Sequence, residues 1–334
     1  MNDRAIAVLE KYDIEVLRSW KGRSAILCET KNGIKILKEY KGSEERLLLQ
    51  QQLLKEIKKN GFSHLEDIIS SKEGEILVKD EEMNSYYLKE YAEGKECNIR
   101  ECQETGYVAE QMALLHKAME LPEFVKEKNI PRYSLLNEFE KHNRELKKIK
   151  KYLKSKRQKS DFEYFLYQNY DRFLDKSEKI LEEMRAHPEL LGEEKAFNKG
   201  SLCHGDFQHH NALLNKEGIF FVNFEKYVFD NPMRDLSLFF RKMMEKNDWS
   251  KELGLFVLES YQKQRKISEE EKYQLYYRLS YPEKFWKIAN FYFNSSKVWI
   301  PEKNMEKLEK VLKQEEEKFL FLESNFREGV LRKS

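Results

Sequence analysis

The sequence predicts an α+β chain in two lobes, a small antiparallel-sheet lobe over residues 1–94 and a larger helical lobe over 95–334. Three observations predict it. Strand-like runs punctuated by turn residues crowd the N-terminal part, helical periodicity takes over after Asn98, and residues 201–235 wedge a dense polar group between apolar runs.

Composition fits that class. The 334 residues suffice for a large core, and 36% charged against 40% hydrophobic residues, with 13 Gly and 6 Pro, favour a helix-rich globular chain over a disordered one. The 61 Lys and Arg nearly balance 59 Asp and Glu, so no global electrostatic footprint for nucleic acid is expected. Cys28, Cys97, Cys102 and Cys203 form no C-x-x-C pair and fit a reducing compartment. No apolar run approaches 18 residues and the N-terminus lacks an uninterrupted apolar core, so cytoplasmic synthesis without a membrane span is expected.

In the first lobe, Ile14–Trp20, Ala25–Thr30 and Ile34–Tyr40 read as three strands joined by the turn-like KGRS and KNG. A helix over Ser43–Lys59 follows, its first turn rich in acid as suits the positive end of a helix dipole. Glu75–Lys79 and Ser85–Glu90 complete five strands around the turn DEEMN, and Glu90–Gly94 leads into the second lobe. There Tyr107, Met112, Leu114, Leu115 and Met119 mark an amphipathic helix. Residues 141–160 hold ten Lys and Arg against one Glu above Leu146, Ile149 and Leu153. Such a run is either a solvated face or a dock for an acidic partner, within a basic helical segment over 141–186.

The chemistry concentrates in HGDFQHHN. His204-x-Asp206-x₄-Asn211 has the spacing of a kinase catalytic loop, in which the Asp accepts the proton of a substrate hydroxyl and the Asn binds a metal ion. Leu213 and Leu214 open a hairpin that turns at NKEG and returns over Ile219–Phe224, delivering Asn223 beside Asn211. A hard cation there prefers carboxylate oxygen, so Asn223 is a departure; Glu225, two residues on, points the same way if the strand alternates to its end.

With Asp230, Pro232, Arg234 and Asp235 following, this segment resembles the catalytic and metal loops of the aminoglycoside phosphotransferase and choline kinase superfamily, and within it the CotS family of spore-coat proteins. The resemblance implies a two-lobed protein-kinase-like fold over the whole chain, with ATP and Mg as cofactors. It assigns Asp206 as base, Lys38 to the phosphates with Glu45 (or Glu44) as its ion-pair partner, and Glu90 and Ala92 to the adenine-binding hinge. Asn211, Asn223 and Glu225 would face the metal, and Lys21–Ser24 would cover the phosphates. His204 would hold loop backbone, Asp235 would support that loop from the following helix, and Asp230 would cap the turn before Pro232. The implied function is a CotS-like coat component, nucleotide-binding or structural, with weak or lost phosphotransferase activity and other spore-coat proteins as partners. The alternatives are an active ATP-dependent phosphotransferase with a small hydroxyl substrate and a metal-dependent hydrolase built on His204, Asp206, His209 and His210.

Overall fold

The computed structural model describes residues 7–22, 25–128, 130, 132–294 and 301–327. Strands β1 (Val16–Gly22), β2 (Ala25–Thr30) and β3 (Gly33–Glu39) precede helix α1 (Glu44–Lys59) and strands β4 (Ile68–Ile69), β5 (Val78–Lys79) and β6 (Ser85–Glu90). They form one antiparallel sheet in the order β1-β2-β3-β6-β4, with β5 also on β6. The expected strand over Glu75–Lys79 shortens to two residues because Ser71 closes a local turn, its hydroxyl accepting from the N–H groups of Glu73 and Glu75. Register sets Ile36 opposite Lys89 and Lys38 opposite Tyr87. Since side chains on paired positions share a face, these four belong to one surface of the sheet.

Helix α1 starts where Ser43 accepts from the Arg46 N–H, and it buries Leu47, Leu53, Leu54 and Ile57. After β7 (Lys95–Glu96) come α2 (Cys102–Ala118), α3 (Pro122–Lys128), α4 (Leu135–Ser155), α5 (Asp161–Gln168), α6 (Tyr170–Ala186) and α7 (Glu193–Asn198). The segment 201–235 supplies β8 (Leu202–Cys203), β9 (Ala212–Asn215), β10 (Gly218–Phe221) and β11 (Val228–Phe229). β9 and β10 make the expected hairpin, with β7 on its other edge, and β11 pairs with β8. Helices α8 (Met233–Lys246), α9 (Lys251–Gln264), α10 (Glu269–Ser280), α11 (Glu283–Asn294), α12 (Pro301–Lys313) and α13 (Glu315–Leu322) complete the described chain. None of the described helices is long and apolar enough to cross a membrane.

The main core runs from α1 through α2 to α8, α9 and α10, so the polar segment 201–235 is packed from behind by Phe207, Phe221, Phe224 and Phe239. A second core joins the basic segment to α11 through Leu146, Ile149, Phe162, Tyr170, Phe173 and Phe285. Its basic surface is partly neutralised from within. Lys147 pairs with Glu178 at 2.6 Å, Arg185 with Glu140 at 2.8 Å, and Lys150 with Asp171.

Candidate functional site

The loop carrying Asp206 is fixed from below. Asp235, fully buried in the first turn of α8, accepts from the N–H of His204 at 2.6 Å and of Gly205 at 2.9 Å. Burial by itself would raise the Asp235 pKa, but the neighbouring His116 and the loop donors outweigh it and hold the group below the ordinary carboxylate value. Gly205 sits at φ +82°, and a Cβ there would meet the Lys226 carbonyl oxygen at 1.9 Å, so the turn excludes every other residue. His204 spans the loop: Nδ1 accepts from the Asp206 N–H at 3.3 Å and Nε2 lies 2.9 Å from the Val222 carbonyl. A carbonyl only accepts and an amide N–H only donates, so the proton is on Nε2 and both ring nitrogens are occupied.

Asp206 itself receives Gln208 Nε2 at 2.9 Å and Lys226 Nζ at 2.7 Å. Burial opposes ionisation, yet these two donors lower its pKa, so the carboxylate is ionised and paired. Asn211 donates Nδ2 to the Asp206 carbonyl at 2.9 Å, which leaves its Oδ1 facing the following loop.

That loop differs from the sequence expectation. Strand β10 ends at Phe221, Asn223 adopts the left-handed conformation (φ 70°, ψ 55°), and Phe224–Lys226 form a single 3₁₀ turn. Asn is among the few residues that tolerate this conformation. Strand alternation therefore does not carry Glu225 to the side of Asn223. Glu225 turns up to the sheet instead, where it accepts from Lys38 Nζ and from the Tyr87 hydroxyl at 2.6 Å. Burial alone would raise its pKa, but the Lys89 and Lys38 ammonium groups and the two hydrogen bonds bring it down to about 2.

Behind Glu225 lies a pair that no motif announced. Lys89 and Glu66, both buried, meet at 2.6 Å, and Lys89 also donates to Asn223 Oδ1 at 2.9 Å. Glu66 accepts in addition from the N–H groups of Asn223 at 2.9 Å and Phe224 at 3.0 Å. An ammonium cannot accept, so the oxygen of the Asn223 amide must face Lys89 and its NH₂ must face Asn211, whose Oδ1 is 2.8 Å away. Arg46 of α1 holds the same loop by donating to the carbonyls of Glu225 and Tyr227 while lying over the Tyr227 ring.

A cleft of about 1010 Å³ brings most of the expected residues together: Lys38, Glu90, Ala92, Asp206, Asn211, Asn223 and Glu225 all line it. Ala25, Leu27 and Ile36 above and Leu213 and Val222 below give it an apolar end beside Glu90–Ala92, suited to a flat ring. The expected Lys38–Glu45 ion pair is absent, because Glu44 and Glu45 are exposed on the first turn of α1 and Lys38 takes Glu225. Arg23 and Ser24 of the expected phosphate-covering loop lie outside the described residues.

The residues expected at the metal do not fit a divalent cation. The Asn211 oxygen is taken by the Asn223 amide, and Glu225, Glu66 and Asp206 are each paired with a lysine. Among the described residues no group of three or more His, Cys, Asp or Glu could hold a metal, so His204, Asp206, His209 and His210 do not form the ligand cluster that the hydrolase alternative expects. Sequence reasoning missed Lys89, Glu66, Tyr87, Lys226 and Arg46. Lys89 alone left a trace: it alternates with Tyr87 in an apolar strand, where an inward lysine requires a buried acid.

Residues 6–325 match the family model described as "Spore coat putative kinase YutH". Spore coat protein S of Bacillus subtilis is 25% identical over 319 residues, covering 90% of this chain and 86% of that protein. Among solved structures, an aminoglycoside phosphotransferase from Alicyclobacillus acidocaldarius superposes with a TM-score of 0.85 at 19% identity, over 98% of this chain and 96% of the other. Spectinomycin phosphotransferase, solved with ADP and spectinomycin, gives 0.62 at 16% identity (93% and 92%), and choline kinase from Cryptosporidium parvum 0.55 at 16% (96% of each). The fold is that of the kinase-like phosphotransferases.

Proposed function

This chain belongs to the spore-coat YutH family, and on that premise we propose that it is a coat component whose cleft takes an adenine nucleotide while phosphoryl transfer is weak or lost. One observation carries the reading. Asp206, Glu66 and Glu225 are each matched by a lysine of this chain, and the two amides at the metal-facing positions are bonded to each other. Phosphoryl transfer depends on metal ions that neutralise the transferring group, and pairing with lysines leaves none of these carboxylates free to hold one. The apolar end of the cleft beside Glu90–Ala92 supports retention of adenine, and related folds have been solved with ADP and with AMP-PNP. Similarity to spore coat protein S supports a place in the coat among other coat proteins.

The test is turnover of ATP by the purified chain in the presence of Mg²⁺ and a panel of hydroxyl acceptors. The expected rate equals that of Asp206→Ala. A rate well above that variant would replace this reading with the second one, an active small-molecule phosphotransferase, which the ionised Asp206 and its fixed loop favour.

A further inference from the structure

We propose that the Lys89 ammonium is a resident cation that takes the place of the divalent metal, so that the cleft binds its nucleotide in the metal-free form. This rests on the nucleotide reading of the cleft and concerns how that same site balances phosphate charge. Lys89 is the next-to-last residue of β6, just before the cleft-lining run Glu90–Ala92, and its side chain lies on the cleft face with Lys38, opposite Ile36 in the register. Among the described residues two acceptors hold the ammonium, Glu66 at 2.6 Å and Asn223 at 2.9 Å. An ammonium has three N–H donors, so the third is left for a ligand oxygen in the cleft.

Lys89 and Asn223 are suited to each other in a way that Asp at 223 would not be. With a carboxylate at 223, one oxygen would still accept from Lys89, but the other would face the Asn211 oxygen, acceptor against acceptor. Those two oxygens would then face each other with no donor between them. The amide closes the gap with its own NH₂ at 2.8 Å and completes a polarised chain from Lys89 through Asn223 and Asn211 to the Asp206 carbonyl. The burial of Lys89 is compensated by Glu66, which is held in turn by two backbone N–H groups, so the charge is fixed in position whether or not a ligand is present. Mg²⁺ then finds Asp206, Glu66 and Glu225 already paired with lysines, and in solution it competes with the protein for the phosphates.

The experiment is calorimetric titration with ADP and with adenosine, each in EDTA and in excess Mg²⁺. ADP is expected to bind at least as tightly in EDTA as in Mg²⁺, and adenosine is expected to be indifferent to the metal. Lys89→Gln with Glu66→Gln removes the charge without stranding a buried carboxylate. It is expected to weaken ADP by about tenfold or more, the loss of one charge-assisted hydrogen bond, while adenosine binding is unchanged and reports that the cleft is folded. Binding of ADP to the natural protein that Mg²⁺ tightens tenfold would overturn the inference while leaving the nucleotide reading in place. A double variant that binds ADP like the natural protein would overturn the role of Lys89. Failure of both ligands in both conditions would remove the inference and the nucleotide reading together.

Discussion

Two loops of the cleft, joined through the hairpin of β9 and β10, are held by different partners. The loop of Asp206 is held from within the helical lobe: Asp235 takes two of its N–H groups, His204 ties it to Val222, and Asn211 closes it on the Asp206 carbonyl. The loop of Asn223 is held from the sheet lobe, by Glu66, Lys89, Lys38, Tyr87 and Arg46. The first set of bonds satisfies buried backbone donors that any occupant of the fold must satisfy. The second set joins the lobes through side chains, Glu66, Lys89, Lys38 and Tyr87 reaching the loop of Asn223 and Glu225. Framework and ligand positions in one site can therefore part company, because the first set closes within one lobe and the second spans the two.

The largest effect expected from breaking this contrast is Glu66→Ala. It strands a buried ammonium and two N–H groups, and should cost about 3–5 kcal/mol in denaturant unfolding. The same measurement on Glu66→Gln/Lys89→Met should recover most of that loss, since neither product is charged. Recovery of none of it would mean that Glu66 acts through its backbone contacts alone.

Acid should loosen the second loop in a defined window. The Glu225 pKa is lowered from 4.5 to about 2 on folding, so its contribution is fully present above pH 4.5 and is lost as pH falls toward 2. The loss should be on the order of 2 kcal/mol, discounted for the partial exposure of Lys38. Glu225→Gln should flatten this part of the stability-versus-pH profile. An unchanged slope would show that other carboxylates set it.

Smaller still is Asn223→Asp by itself. The new carboxylate keeps its contact with Lys89, shared with Glu66, so nucleotide affinity in Mg²⁺ should change by less than about threefold, within roughly 0.6 kcal/mol. Least of all is reversal of Lys148 and Lys151 on the exposed face of α4, expected to shift stability by less than about 0.5 kcal/mol. If that face docks on an acidic coat protein, the folded variant should lose its recruitment to the coat; normal recruitment would mark the face as solvated only.

Much of this was legible beforehand for physical reasons. β2 and β6 were readable to the residue because β-branched and aromatic runs end at turns, and the spacing of His204, Asp206 and Asn211 located the first loop. The pairing of Lys38 was not legible, since which face of α1 Glu45 occupies depends on the burial of Leu47, Leu53 and Leu54. The turn at Asn223 hid for a related reason: FFVNFE reads as continuous strand, and only the left-handed backbone at 223 breaks it. Glu66 sits between short elements with no periodicity at all. Its importance comes from partners 23 and 157 residues away, which no local pattern encodes.

ATP turnover in Mg²⁺ by four proteins tests most directly whether Lys89 and Asn223 together replace a metal site: the natural chain, Asn223→Asp, Lys89→Met and the double variant. If the two positions compensate each other, the first three should stay at the level of Asp206→Ala and only the double variant should gain Mg²⁺-dependent turnover. Turnover by Asn223→Asp alone equal to that of the double variant would contradict it, because Lys89 would then be no obstacle to the metal.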